Sequence, residues 1–205
     1  FWNCQDGGVY QTPIWVNIDN LNNLVAEGEE NSGCLMTVDV YVDPINGNDY
    51  LNDGSKNSPF YTIKNTLPKV VGTEQNPVTI KLAEGTYSPS TNGETFPIEL
   101  FSHLNLIGAG EDITIIDAQQ TGRVITMEYC ENNTISDLTL TGGLVEGANP
   151  DHIGAGMYLS YSNPILNNVT ISNNTAYSGG GMFLNDSNPI LNNVTISNNT
   201  AEFAG

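Results

Sequence analysis

Basic residues are scarce in this 205-residue sequence: lysine and arginine together number five, against 23 aspartates and glutamates. The formal net charge at pH 7 is −18. A protein that binds nucleic acid needs a basic surface stripe to contact the phosphates, and five cations do not build one. The charge balance therefore argues against nucleic acid as a partner, and it disfavours anionic polysaccharides for the same reason.

Long apolar runs are also missing from the chain. No segment approaches the roughly 18 consecutive apolar residues of a membrane-spanning helix, and no charged segment followed by an apolar one opens the chain as a secretory signal would. We therefore predict no membrane span in this segment. Because the chain starts at Phe1 rather than methionine and stops at Gly205 inside a repeat, we expect it to be a piece of a longer protein.

Cysteine occurs three times, and the spacing fits no metal-binding motif. Cys4 and Cys34 flank the N-terminal segment, and a disulfide between them would indicate an oxidising compartment. The alternative is two unpaired, small hydrophobic side chains. Cys130 has no accompanying histidine or asparagine motif, so we expect an inert buried thiol rather than a nucleophile. Residues 1–40 are interpreted as an N-terminal extension that this disulfide would close.

An internal repeat is the main feature that the sequence does contain. Residues 163–176, NPILNNVTISNNTA, recur unchanged at residues 188–201, and the related segment 132–143 aligns at an offset of 31. Apolar and polar residues alternate within each copy, which is the period of a strand with one buried face. Similar alternation occurs upstream at residues 78–82, 104–107, 113–116 and 124–127.

A unit this short cannot bury its own apolar face, so the copies must stack about 4.8 Å apart and pair their backbones. The sequence therefore predicts an all-β fold, a right-handed parallel β-helix over residues 41–205 that is truncated at its C-terminal end. Apolar residues at helical spacing within residues 59–70 predict a short capping helix, with Ser58 as N-cap and Pro59 at its first position. Pro68 limits this helix to about two turns or kinks it.

Asparagines recur at fixed places in the repeat. Stacking would bring Asn168 over Asn193 and Asn173 over Asn198, which predicts two hydrogen-bonded amide ladders. The functional alternative is that repeat asparagines carry glycans, because six of them stand in Asn-x-Ser/Thr sequences: Asn132, Asn168, Asn173, Asn185, Asn193 and Asn198.

A cluster of oxygen-bearing side chains precedes the first coil. A glycine-containing loop there is a candidate site for a hard cation such as calcium, with the ligands Asp43, Asn48, Asp49, Asn52 and Asp53. The spacing is not that of an EF-hand. The alternative reading is that these residues form turns that serve only the backbone.

Several short motifs resemble the start of pectate-lyase-like β-helix proteins of the DUF1565 type. They include Tyr41-Val42-Asp43-Pro44, Gly47-Asn48-Asp49, Asn52-Asp53-Gly54-Ser55, Ser58-Pro59-Phe60, Ala83-Glu84-Gly85-Thr86-Tyr87 and Leu106-Ile107-Gly108. The Gly-Gly-Gly-Met repeats are similar to those of bacterial and archaeal surface proteins, including polymorphic outer-membrane adhesins. The resemblance implies the β-helix fold and an extracellular or cell-surface location, and it leaves the activity open.

Pectate lyases use a basic residue and aspartate-held calcium, which would correspond here to Arg123 with Asp117 and Asp137, although their longer motifs are missing. Our leading hypothesis is therefore a noncatalytic structural or adhesive solenoid that associates with downstream coils of its parent chain or end to end with copies of itself into filaments. The rival is a carbohydrate-active enzyme, of the lyase or glycosidase kind, or a glycan-binding module. For glycan binding, the candidate stacking residues are Tyr158, Tyr161 and Tyr177.

Overall fold

The computed structural model describes residues 36–146 and 152–203, and over these ranges the chain is a parallel β-helix with one short α-helix. Every pairing between its named strands is parallel. The predicted all-β solenoid is confirmed. Residues 1–35, with Cys4, Cys34 and most of the predicted extension, lie outside the described residues.

The strands are short because each forms only one side of a coil. In chain order they are β1 (Val40–Val42), β2 (Val78–Leu82), β3 (Gly85–Tyr87), β4 (Ile98–Leu100), β5 (Leu104–Ile107), β6 (Thr114–Asp117), β7 (Ile125–Glu128), β8 (Thr134–Thr141), β9 (Met157–Ser160), β10 (Ile165–Ser172), β11 (Thr175–Ser178), β12 (Met182–Asn185), β13 (Ile190–Ser197) and β14 (Thr200–Phe203).

Three sheets form the walls of the described solenoid. The long sheet runs β1-β2-β5-β8-β10-β13, with β3 and β6 pairing alongside it. The second sheet runs β4-β7-β9-β12, and the third pairs β11 with β14. Each sheet adds one strand per coil, so a residue in one coil lies directly over its equivalent in the next.

The register of the long sheet matches the repeat in the sequence. Val169 pairs with Val194 and Leu138 with Val169, so the offsets of 25 and 31 residues are both observed. Inward-facing aliphatic side chains consequently stack in columns, and those of the inner coils are fully buried. Burying one such side chain contributes about 1.5–3 kcal/mol, which is why stacking stabilises units that cannot fold alone.

The helix exists but begins later than predicted. The α-helix α1 spans Ile63–Thr66 and continues into a 3-10 turn at Leu67–Lys69. Its N-cap is Thr62, whose hydroxyl accepts from the Asn65 amide, so the prediction of Ser58 as the cap was wrong. The physical reason is a tertiary contact: the Phe60 amide donates to the Tyr41 carbonyl at 2.9 Å, which holds that segment extended beside β1.

The N-terminal end of the solenoid is closed by the chain itself. Along the outer edge of β1, the Tyr41 amide donates to the Gly54 carbonyl at 2.8 Å and the Asp43 amide to the Phe60 carbonyl at 2.9 Å. Ile63 and Leu67 pack into the core from α1 and the turn that follows it. Neither this helix nor any other part of the described chain offers a helix long and apolar enough to cross a bilayer.

Candidate functional site

The outward asparagine ladder runs along the long sheet. The Asn193 side-chain amide donates to Asn168 Oδ1 at 2.9 Å, and the Asn168 amide donates to Asp137 Oδ1 at 2.9 Å. All three residues adopt positive φ, between 51° and 58°. Asparagine and aspartate tolerate this left-handed conformation better than other residues with a side chain. The predicted Asn168–Asn193 contact therefore belongs to a longer column that also stabilises a bend within each strand.

The second ladder lies one residue away from its predicted position. Asn173 is exposed and donates to Ser172 Oγ of its own coil at 3.3 Å, rather than to Asn198. The interior ladder is made by the following residues: Asn174 Nδ2 donates to Asn199 Oδ1 at 3.0 Å. Asn173 and Asn198 turn their corners with positive φ and face outward, so Asn174 and Asn199, which follow them, face inward.

The interior ladder is held by glycine-rich corners. Asn174 is fully buried; its Oδ1 accepts from the Gly143 amide at 2.7 Å, and its Nδ2 also donates to the Leu140 carbonyl at 3.3 Å. A Cβ at Gly143 would lie 2.2 Å from the Ala155 carbonyl oxygen and 2.8 Å from Asn174 Oδ1. The sequence signal for this site was present as the Asn-Asn pairs and glycine runs, but it does not say which asparagine faces inward.

Aromatic side chains also form columns. Tyr158 lies between the Arg123 guanidinium, 4.8 Å from the Tyr158 ring centroid, and Phe183, whose ring centroid is 6.1 Å away. The centroid of Tyr177 is 4.6 Å from that of His152 and 4.8 Å from that of Phe203. Both candidate glycan-stacking rings are thus packed against neighbours in adjacent coils.

The third candidate, Tyr161, belongs to the most exposed aromatic surface of the three. Its ring stacks on Tyr129 with centroids 5.0 Å apart and planes within 3°. Tyr129 is 71 % exposed and Tyr161 is 48 % exposed. A side-chain hydrogen bond with Asp186, together with the charge of that carboxylate, raises the pKa of Tyr161.

Arg123 is tied to the backbone of the following coil. Its Nη2 donates to the Ile153 carbonyl at 2.9 Å and its Nε to the Gly154 carbonyl at 3.0 Å. Asp117 accepts from the Gln119 amide at the end of β6, and Asp137 belongs to the asparagine ladder. These three candidate residues of a lyase site therefore all have hydrogen bonds that serve the coils.

The candidate calcium ligands accept hydrogen bonds within their own loop. Asp43 Oδ1 accepts from the Ile45 and Asn46 amides, Asn48 Oδ1 from Tyr50 and Leu51, and Asp53 Oδ1 from Ser55. Burial acts to raise the pKa of Asp43, but the hydrogen bonds from Asn46 and Ile45 outweigh it and hold that pKa below its usual value.

The other two candidate ligands fasten this loop to the helix. Asp49 accepts from the Tyr61 amide at 2.8 Å, the Thr62 hydroxyl at 2.8 Å and the Asn65 side chain at 3.0 Å. Asn52 Nδ2 donates to the Pro59 carbonyl at 2.7 Å. Across residues 36–146 and 152–203, no group of three or more histidine, cysteine, aspartate or glutamate side chains is placed to hold a metal ion. Calcium binding stays a prediction.

Two further ionisable side chains, Glu94 and Cys130, are buried. Glu94 is 1 % exposed, and its carboxylate accepts from the Ile63 amide at 2.7 Å and the Lys64 amide at 2.9 Å. Burial raises the pKa of Glu94, against the opposing effect of these amide hydrogen bonds. Burial likewise raises the pKa of the Cys130 thiol, as an inert cysteine requires. No sequence pattern singled out Glu94, because its partners lie about 30 residues upstream.

These features define a class of protein: a parallel β-helix whose polar and aromatic side chains form columns along the stack of coils. Residues 45–203 match the model of a family described as a protein of unknown function, DUF1565. The chain belongs to the DUF1565 family, as its motifs predicted.

One solved structure to which this chain is similar is pectin methylesterase PemA from Erwinia chrysanthemi. It is 12 % identical, with a TM-score of 0.49, and the match covers 78 % of this chain and 49 % of that one. The chain thus spans about half the length of that protein. No curated protein matches the sequence.

Proposed function

We propose that this chain is a noncatalytic structural or adhesive solenoid that works outside the cell, at a cell surface or after secretion. One observation supports this most directly: polar side chains that the sequence offers as candidate catalytic or glycan-bearing groups form hydrogen bonds with other parts of the protein. Arg123, Asp137 and Asn168 each hydrogen-bond to an adjacent coil, so their chemistry serves the stacking.

A stack of this kind suits a structural role because it grows in one dimension. Each coil adds about 4.8 Å of length and contacts only its neighbours. The strongly acidic composition gives a surface that resists self-precipitation, as an exposed surface protein requires. Labelling of intact native cells with an antibody to this chain tests the location; signal that appears only after the cells are lysed would contradict it.

A turnover screen tests the noncatalytic role. The chain is incubated with plant, algal and host polysaccharides, and reducing ends, unsaturated products and released methanol are measured. We expect none above a heat-denatured control. The rival hypothesis is a carbohydrate-active enzyme. It would be established by turnover that is lost in the Arg123→Gln variant or in a variant with one acidic residue substituted.

Glycan binding without turnover is a second candidate, and the exposed Tyr129–Tyr161 stack favours it. Aromatic rings offer an apolar face beside a polar hydroxyl, which suits the surface of a sugar ring. On a glycan array, binding that disappears in the Tyr129→Ser, Tyr161→Ser double variant but persists in Tyr177→Ser would assign this role. Tyr177 is a matched control because it is 40 % exposed yet packed within another column.

A further inference from the structure

The six Asn-x-Ser/Thr sequences differ in where the side-chain nitrogen of the asparagine points. This nitrogen, Nδ2, is the atom to which a glycan is attached. In four of the six, Nδ2 meets an atom of the preceding coil: Asn132 meets His103 Nδ1 at 3.3 Å, Asn168 meets Asp137 Oδ1 at 2.9 Å, Asn185 meets Ser160 Oγ at 3.0 Å and Asn193 meets Asn168 Oδ1 at 2.9 Å. Because coils lie only about 4.8 Å apart, a sugar at these atoms would disrupt the contacts between coils.

The other two sequences begin at Asn173 and Asn198, which occupy the same corner of consecutive coils. Among the described residues, Asn173 Nδ2 donates to Ser172 Oγ of its own coil at 3.3 Å and to no adjacent coil. Asn173 is exposed even though its strand, β10, is paired on both edges, with β8 and with β13. Its exposure therefore comes from the corner itself, where a φ of 57° turns the side chain outward.

Space for a substituent on Asn173 opens on the side of the preceding coil. Ser172 pairs with Thr141, so the residue of that coil aligned with Asn173 is Gly142, which has no side chain. Gly142 also has a positive φ, of 68°, so both coils turn at the same place. A group attached to Asn173 Nδ2 therefore leaves the surface without meeting a side chain at the aligned position.

The threonine two residues after the asparagine is the other side chain that defines such a sequence. Thr175 is exposed, as Asn173 is, so both recognised side chains reach solvent. The threonine that follows Asn168 is Thr170, which is half-buried and donates to Glu111 Oε2 at 3.3 Å. Within one strand and its corner, the structure thus presents one sequence to an enzyme and engages the other in contacts between coils.

We propose that Asn173 is a site at which this chain carries an N-linked glycan. In the transfer, a bond forms between Asn173 Nδ2 and C1 of the first sugar of a lipid-linked oligosaccharide. The bond from that C1 to the pyrophosphate of the donor breaks, the lipid pyrophosphate leaves, and the amide gives up one proton to solvent. The inference rests on the proposed location outside the cell, where a bulky, solubilising glycan suits an exposed surface. Antibody labelling reads the location and the experiment below reads the acceptor, so either can fail without the other.

The test incubates the folded 205-residue chain with an oligosaccharyltransferase and its lipid-linked donor. The enzyme is chosen as one that modifies a peptide of residues 167–177 at both Asn168 and Asn173. Chymotrypsin then cleaves the chain, because no lysine or arginine follows Arg123 and trypsin would leave one long fragment. We expect mass spectrometry, with fragmentation that retains the glycan, to place it on Asn173 and to leave Asn168 unmodified.

Two matched variants separate the overlapping sequences. Thr175→Val removes the required hydroxyl and should abolish modification of Asn173, whereas Thr170→Val removes the sequence at Asn168 alone and should retain it. Neither side chain is fully buried, so both variants are expected to fold, which circular dichroism checks. The proposal would be overturned by a glycan on Asn168 of the folded chain. It would equally be overturned if the enzyme that modifies the peptide left Asn173 of the folded chain unmodified.

Discussion

Residues 163–176 and 188–201 have the same fourteen-residue sequence and the same strand structure, yet different surroundings. Leu166 and Ile171 are 0 % exposed, whereas Leu191 and Ile196 are 46 % and 48 % exposed. Within the described residues, the first copy lies between two coils and the second has a coil on one side only. The difference shows that burial in this fold depends on the position of a coil in the stack and not on its sequence.

The two ends of the described solenoid differ in the same way. At the N-terminal end, α1 and the loop before it satisfy the edge of β1 and cover the core. At the C-terminal end, the identical repeat leaves its apolar side chains half exposed. The closed end therefore has a sequence pattern that differs from that of the repeat.

The largest change in stability is expected from a direct test of burial, with one substitution in each copy of the repeat. Ile171→Ala removes a fully buried side chain and should lower the free energy of unfolding by about 2–5 kcal/mol. Ile196→Ala should cost about 1 kcal/mol or less, because solvent already reaches that side chain. Urea unfolding followed by circular dichroism measures both; equal losses would mean that the second copy is also covered.

The next largest change in stability distinguishes the roles of Asn173 and Asn174, the two asparagines at one corner of a coil. Asn174→Ala leaves the buried Gly143 amide without its acceptor and should cost about 1–3 kcal/mol. Asn173→Gly keeps a residue suited to positive φ and should change stability by less than about 0.5 kcal/mol. Denaturant titration of both variants measures these changes. A loss of stability in Asn173→Gly larger than that in Asn174→Ala would instead favour a ladder at Asn173, as first predicted.

At the closed end, Glu94→Gln replaces one of two buried acceptor oxygens by an amide donor and should cost about 1–3 kcal/mol at neutral pH. Because the folded pKa of Glu94 is raised, its protonated form is favoured by folding, and that contribution is lost as pH rises through the folded pKa.

The free energy of unfolding of the native protein should therefore decrease as pH rises above the usual glutamate pKa. The Glu94→Gln variant should lack this decrease. Thermal unfolding across pH 4 to 8 at about one-unit steps measures the difference between the two proteins. Parallel stability curves for the two would show that Glu94 does not titrate differently in the folded and unfolded chains.

The smallest effect compares the ladder residues. Asn168→Gly breaks two amide hydrogen bonds and Asn193→Gly breaks one, at exposed positions, so we expect losses near the low end of about 0.5–1.5 kcal/mol per bond, with Asn168 the larger. Glycine retains the positive φ in both cases. Identical losses in chemical denaturation would indicate that the bond to Asp137 adds nothing.

Prediction from the sequence succeeded where the contacts repeat. The alternating segments at 78–82, 104–107 and 124–127 are strands within one residue of their predicted bounds, because alternation around a buried face is a local pattern. It failed at Ser58 and Asn173, where the outcome depends on a distant partner: the Tyr41 carbonyl for the extended segment before the helix, and Gly143 for the inward amide.

The sequence by itself determined the parallel β-helix, its offsets of 25 and 31 residues and its outward ladder, since identical short units can bury their apolar faces and pair their backbones only by stacking in register. Only the tertiary structure decided which asparagine of a pair faces inward, where the helix begins and which buried carboxylate accepts hydrogen bonds from its first two amides. The same holds for which of two identical copies is buried. Each of these depends on atoms brought together from coils far apart in the chain, and the local pattern is the same whichever neighbour is present.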